Sequence, residues 1–185
     1  MRPGLLLSLL LASAATAAAA QPGEDGPPMG RLFVSPSGEP FRGGDGLAAW
    51  FAGADADKDG ALTLAELRAD AQRFFKVVDA SGDGVVDGFE VQRYEAEIAP
   101  EITSLAIEGL RAGRRGGVEM GRQGAARFGL LNTPHPVRAG DLDLDGRVTE
   151  AEWSRAAARR FDLLDKAKAG QLTLDTLRPP QGRRR

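Results

Sequence analysis

The sequence predicts an all-α fold, a bundle of helix-loop-helix units whose loops join in pairs through short β-bridges. Three observations carry that expectation. Acidic twelve-residue segments begin at Asp55, Asp79 and Asp141, each with glycine at its sixth position and glutamate at its twelfth. The stretches beside them place apolar side chains at helical spacing. Within each half the starts lie 24 positions apart, Asp55 to Asp79 and Asp141 to Asp165, so the chain repeats one plan.

The elements follow in order. Residues 1–20 read as a signal peptide: Met1-Arg2-Pro3-Gly4, an apolar run from Leu5 to Leu11, then small residues through Ala20. The run is too short to span a bilayer, and cleavage is expected before Gln21, giving an exported protein that is periplasmic or secreted. Residues 21–44 form a leader crowded with Gly and Pro, expected to be mostly irregular, in which Leu32, Phe33, Val34 and Phe41 could attach it to the folded body.

Residues 45–99 should form the first pair of units. Asp45 caps a short helix, Gly46 to Ala54, with Leu47, Trp50 and Phe51 on one face. A second helix runs from Leu64 to Val78 and a third from Gly88 to Ile98, stopped by Pro100. Residues 100–124 read as a helical stretch, Glu101 to Leu110, and an Arg-Gly linker. In the second pair, residues 125–178, a short helix is expected from Gln123 to Leu131, then an extended turn at Pro134-His135-Pro136. A longer helix runs from Glu150 to Leu164 and a last one starts near Leu174. Residues 179–185 are a basic tail.

Composition narrows the function. A formal net charge of −2, from 24 basic and 26 acidic residues, gives no field that would draw nucleic acid. The absence of cysteine excludes disulfides, thiolate metal sites and Cys nucleophiles. The lone histidine, His135, has no nucleophile beside it, so no enzyme is expected. Arg111, Arg114, Arg115 and Arg183 to Arg185 read as solvated linker and tail.

The acidic segments carry the chemistry. A twelve-residue cage for a hard cation takes side-chain oxygens at positions 1, 3 and 5, a backbone carbonyl at 7, an oxygen often through water at 9, and a bidentate glutamate at 12. The first loop supplies Asp55, Asp57, Asp59, Ala61, Thr63 and Glu66. The second supplies Asp79, Ser81, Asp83, Val85, Asp87 and Glu90, and the third Asp141, Asp143, Asp145, Arg147, Thr149 and Glu152. Leu62, Val86 and Val148 at position 8 suit the strand by which loops pair. A fourth frame, Asp165 to Thr176, keeps Gly170 and Leu172 but has Ala167, Ala169 and Thr176 at positions 3, 5 and 12, with Lys166 and Lys168 between. It is expected to bind no metal.

From Asp45 to Leu177 the chain resembles EF-hand proteins, which implies three bound Ca2+ ions. The compact 24-residue spacing, with one helix leaving one loop and entering the next, is similar to that of secreted bacterial EF-hand proteins, the lanthanide-binding lanmodulin type among them. That resemblance implies a lanthanide as the alternative ion, although Ala56, Ala80 and Leu142 stand where the lanmodulin type has proline. A shared helix of about 15 residues is about 22 Å long, so its two loops cannot lie side by side. The symmetric solution pairs the second loop with the third and the first with the fourth, and the lanmodulin resemblance implies the same. Pairing between molecules is the other solution, so a monomer or a loop-paired dimer is expected.

Two roles compete: a buffer or calcium-stabilised structural module, and a sensor that exposes an apolar groove to a partner protein. Sensor grooves are Met-rich, whereas after the signal peptide only Met29 and Met120 remain, neither in an expected EF helix.

Overall fold

The computed structural model describes residues 32–103 and 122–178. The expected signal peptide, the leader up to residue 31, the 101–110 helix beyond Thr103, the Arg-Gly linker up to residue 121 and the tail 179–185 lie outside the described residues. No helix among the described residues is long and apolar enough to cross a membrane.

Helices dominate, but two-residue and three-residue strands organise them. Part of the expected irregular leader is a hairpin, β1 (Leu32–Val34) against β2 (Pro40–Arg42), with Phe33 opposite Phe41. Alternation along β1 sends Phe33 to one side and Leu32 and Val34 to the other, so the hairpin buries both faces. That double burial overrides the local Gly and Pro content. Its tip is close-packed: a side chain at Gly38, where φ is +101°, would sit 2.8 Å from Pro136 Cγ.

Helix α1 (Gly46–Ala54) starts where Asp45 accepts the Ala48 N–H at 3.0 Å and ends as the Asp55 N–H reaches the Phe51 carbonyl. β3 (Ala61–Thr63) leads into α2 (Leu64–Val78), which opens on a capping box of Thr63 and Glu66. β4 (Val85–Val86) precedes α3 (Gly88–Arg93). The third helix was expected to run unbroken to Ile98; its last turn, Tyr94–Ile98, is instead a π-turn. Pro100 lacks the N–H that would carry an α-helix on, and the Arg42 guanidinium takes the Ile98 carbonyl at 2.7 Å.

The expected helix from Gln123 to Leu131 shrinks to a 3₁₀ turn, Gly124–Arg127. The residues after it lie along the hairpin, where the Val34 N–H reaches the Phe128 carbonyl at 3.0 Å and Val34 bridges Gly129. A second 3₁₀ turn, Arg138–Gly140, carries the chain into Asp141, because Pro134 and Pro136 deny a helix there. β5 (Val148–Thr149), α4 (Glu150–Leu164), β6 (Gln171–Thr173) and α5 (Leu174–Leu177) complete the described chain.

The loops pair across the two halves. β3 lies antiparallel to β6 with Leu62 opposite Leu172, and β4 lies antiparallel to β5 with Val86 opposite Val148. All four side chains are buried. The sequence repeats are therefore interleaved within one chain, and α2 and α4, each of 15 residues, run in opposite directions between the paired ends. Two cores result. One gathers Phe74, Phe75, Val78, Tyr94 and Trp153 beneath the second and third loops. The other gathers Trp50, Phe51, Leu62, Leu67, Phe161 and Leu172 beneath the first and fourth. Inside the first, the Trp153 indole donates to the Ala71 carbonyl at 2.8 Å and binds α4 to α2.

Candidate metal centres

Each loop closes around its leading aspartate. Its Oδ2 accepts the N–H of the position-6 glycine: Gly60 at 3.0 Å, Gly84 at 3.0 Å, Gly146 at 2.9 Å and Gly170 at 2.8 Å. That closure needs left-handed backbone at position 6, where φ is +83°, +82°, +85° and +76° in turn. Position 4 is left-handed as well, at Lys58, Gly82, Leu144 and Lys168. The three non-glycine residues there carry strain of roughly 1 kcal/mol or more each.

The position-5 carboxylates fix the next peptide. Asp59, Asp83 and Asp145 accept the N–H of Ala61 at 2.8 Å, Val85 at 2.9 Å and Arg147 at 2.8 Å. The position-12 glutamates reach back across their loops. Glu66 Oε1 accepts the Ala56 N–H at 3.0 Å, Glu90 Oε1 the Ser81 N–H at 2.9 Å, and Glu152 Oε1 the Leu142 N–H at 3.0 Å.

Position 9 has a task beyond the water-mediated ligation expected of it. The Thr63 hydroxyl donates to Glu66 Oε2 at 2.8 Å while the Thr63 N–H donates to the same oxygen at 2.9 Å. Thr149 treats Glu152 Oε2 identically, at 2.8 and 2.9 Å. These bonds, the N–H of threonine foremost and its hydroxyl next, hold the carboxyls of Glu66 and Glu152 below their ordinary range. In the second loop the Asp87 N–H likewise donates to Glu90 Oε2, at 3.0 Å, while the Asp87 side chain has no hydroxyl to give and accepts the N–H groups of Phe89 and Glu90. The signal was present in the sequence, since threonine followed three residues later by glutamate is a capping box.

The donor set fits a hard cation. Carboxylate oxygens of Asp55, Asp57 and Asp59 lie within 4.8 Å of one another, and so do those of Asp141, Asp143 and Asp145. Three ionised carboxylates at such spacing repel unless a positive charge lies among them. Asp55 supplies the sharper test: its Oδ1 is buried and has no hydrogen-bond partner among the described residues. An orphaned carboxylate oxygen costs several kcal/mol out of water, a cost that a cation removes. Oxygen-only donors in a flexible loop, with room for six to eight ligands, match Ca2+ better than the strict octahedron of Mg2+. In the second loop Ser81 stands in the triad, and its hydroxyl donates to Asp79 Oδ1 at 3.2 Å.

The fourth loop has the same outline without the carboxylates, since Ala167, Ala169 and Thr176 stand at positions 3, 5 and 12. Asp165 Oδ1 accepts the Ala169 N–H at 2.9 Å and Oδ2 the Gly170 N–H, so both oxygens are satisfied by the backbone. Those two bonds, with Lys168 nearby, depress the Asp165 carboxyl. Thr176 takes over the closing role of glutamate, accepting the Thr173 N–H at 3.0 Å and donating to the Thr173 carbonyl at 2.9 Å.

The segment entering the third loop is held by side chains in place of a helix. His135 Nδ1 accepts the Arg138 N–H at 3.1 Å, which leaves the ring proton on Nε2, 3.0 Å from Glu95. The ring packs on Tyr94 at 5.6 Å, and burial lowers the histidine's pKa. His135 thus joins the third loop's approach to the helix leaving the second, a contact the sequence did not disclose.

The family model for the EF hand matches residues 47–69, which span α1, the first loop and the start of α2. No curated protein matches the chain. The family match and the Asp55, Asp57 and Asp59 cluster together support an EF-hand calcium-binding protein.

Proposed function

We propose that this is an exported, non-enzymatic EF-hand protein that holds three Ca2+ ions, in the loops beginning at Asp55, Asp79 and Asp141, and gains structure from them. In this reading the chain is a bundle of four EF hands in which the last, at Asp165, binds no ion. The clustering of carboxylate oxygens within 4.8 Å in the first and third loops is the observation that carries it, sharpened in the first by the buried Oδ1 of Asp55 that lacks a partner. Each of the three loops also brings four carboxylates to one short segment, and gathering them is favourable only with a cation present.

Asp55, Asp57, Asp59, the Ala61 carbonyl and Glu66 would hold the first ion, and the equivalent residues the second and third. Thr63 and Thr149 orient their glutamates, which places the closing carboxylate before metal arrives. The same charge would accept a trivalent lanthanide, and the compact spacing supports that as the alternative ion. Export rests on the apolar run from Leu5 to Leu11 and the small residues after it.

Calorimetric titration of the mature protein with calcium, magnesium and a lanthanide tests this. Three calcium sites are expected in the wild type and two in Glu66→Gln, with magnesium binding far weaker. A wild type that takes up no calcium would overturn the proposal. A lanthanide preference of many orders over calcium would replace the ion and keep the sites.

A further inference from the structure

The β1–β2 hairpin lies where the two hands of the bundle would have to part. One face places Val34, only 2% exposed, in the core beneath the second and third loops. The other sets Phe33 against Trp50 at 5.9 Å between ring centroids, with Phe41 beside it, in the core beneath the first and fourth. The hairpin therefore closes the seam between the cores from the inside.

Its anchors reach both helices of the first hand and the helix leaving the second. At the tip, the buried Tyr94 hydroxyl donates to the Gly38 carbonyl at 2.7 Å. On the flank, Glu39 pairs with Arg73, which bonds Asp70 at 2.7 Å. Asp70 is buried, and its other oxygen accepts the Trp50 indole N–H at 2.9 Å. Trp50 belongs to α1, which enters the first loop, and Asp70 to α2, which leaves it. At the foot, Arg42 grips Glu101 with two bonds, at 2.6 and 2.9 Å.

An EF hand that signals opens when its ion binds, swinging the entering and leaving helices apart to expose apolar surface. Here that swing would tear the Trp50–Asp70 bond, leave a buried carboxylate short of a donor and pull Phe33 from the indole. Each loss opposes opening.

We infer that the hairpin Leu32–Arg42 is a built-in occupant of this protein's own docking seam, an autoinhibitory clamp that keeps calcium binding from exposing an apolar face. The inference rests on the calcium reading above. Freed of the clamp, the first hand holds a latent groove lined by Trp50 and Leu47, where Phe33 and Phe41 now pack, that opens with calcium.

The test follows a hydrophobic dye, calcium calorimetry and amide exchange on the full mature chain. It compares the wild type with Glu39→Ala/Tyr94→Phe, which cuts two anchors, and with Phe33→Asp, which spoils the hairpin's own face. None of these residues is a metal ligand. The wild type should bind calcium with no rise in dye fluorescence. Both variants should keep the calcium heats, lose hairpin amide protection by about tenfold to a hundredfold and show a several-fold rise in dye fluorescence on calcium addition. Normal calcium heats with a strong wild-type dye response would overturn the clamp alone. So would variants whose released hairpin brings no calcium-dependent dye signal. No calcium heat in any form would overturn the metal reading, and the clamp with it.

Discussion

The first and fourth loops lie side by side through β3 and β6, share their outline, and differ in what their leading aspartates lack. Asp55 has one oxygen on Gly60 and one without a partner; Asp165 has both oxygens on backbone N–H groups. Asp79 and Asp141 are satisfied like Asp165, the Oδ1 of each accepting the position-4 N–H at 2.8 and 2.7 Å, so what sets the fourth loop apart is the lack of carboxylates at positions 3, 5 and 12. A loop can thus keep the outline of its neighbours without their carboxylates, provided that its polar atoms find other partners. That makes the fourth loop a template against which the first is held whether or not calcium is present.

The comparison breaks most severely at its seam. Leu62 and Leu172 face each other, both buried almost completely, and Leu172→Ala should cost about 2–5 kcal/mol in urea unfolding of the metal-free protein. The same variant should weaken calcium at the first loop while sparing the second and third, which calorimetry would resolve. Loss at all three loops would show that the two pairs do not act separately.

A gain of function sharpens it. Ala167→Asp/Ala169→Asp/Thr176→Glu restores the missing carboxylates and should raise the calcium count from three to four. At a calcium level about a hundred times the new site's Kd, that ion would add about 2.7 kcal/mol, read as a higher melting temperature. Without calcium the same variant should melt below the wild type, because the new charges repel.

The smallest effect is with pH. The Glu66 and Glu152 carboxyls are held below their unfolded value of about 4.3 by the threonine bonds, so the unfolded chain binds protons first. Their contribution is complete above that value and is lost as pH falls through the lower folded values. The contribution of these two carboxyls should therefore hold steady from pH 7 to about 5 and fall below about 4.5, beneath a separate loss that begins as pH drops through about 6.5, where the unfolded chain protonates His135 before the folded one does. In Thr63→Ala/Thr149→Ala the acid slope should be shallower. An unchanged slope would show that these bonds are not its source.

The loops were legible in the sequence because coordination chemistry fixes residue types at fixed spacing, and their pairing was legible in part, because a 15-residue helix keeps the loops at its ends apart but leaves pairing within the chain and between chains both open. The hairpin was not. Three-residue strands leave no period to read, and what stabilises them, Phe33 on Trp50 and Tyr94 on Gly38, joins residues far apart in the chain. The π-turn at Tyr94 and the 3₁₀ approach to Asp141 were hidden for the same reason, although Pro100, Pro134 and Pro136 marked where helices would fail. The threonine clasp on Glu66 was readable as a capping box, and only its place beside a metal ligand gives it a second meaning.

The two cores each hold one tryptophan, Trp50 in one and Trp153 in the other, and the chain has no more. Their indoles hydrogen-bond to unlike acceptors, an aspartate side chain for Trp50 and a helix carbonyl for Trp153. The molecule thus carries two native optical reporters in distinct electrostatic surroundings. Replacing either by phenylalanine would leave a chain whose fluorescence follows one pair of loops at a time, with no added label.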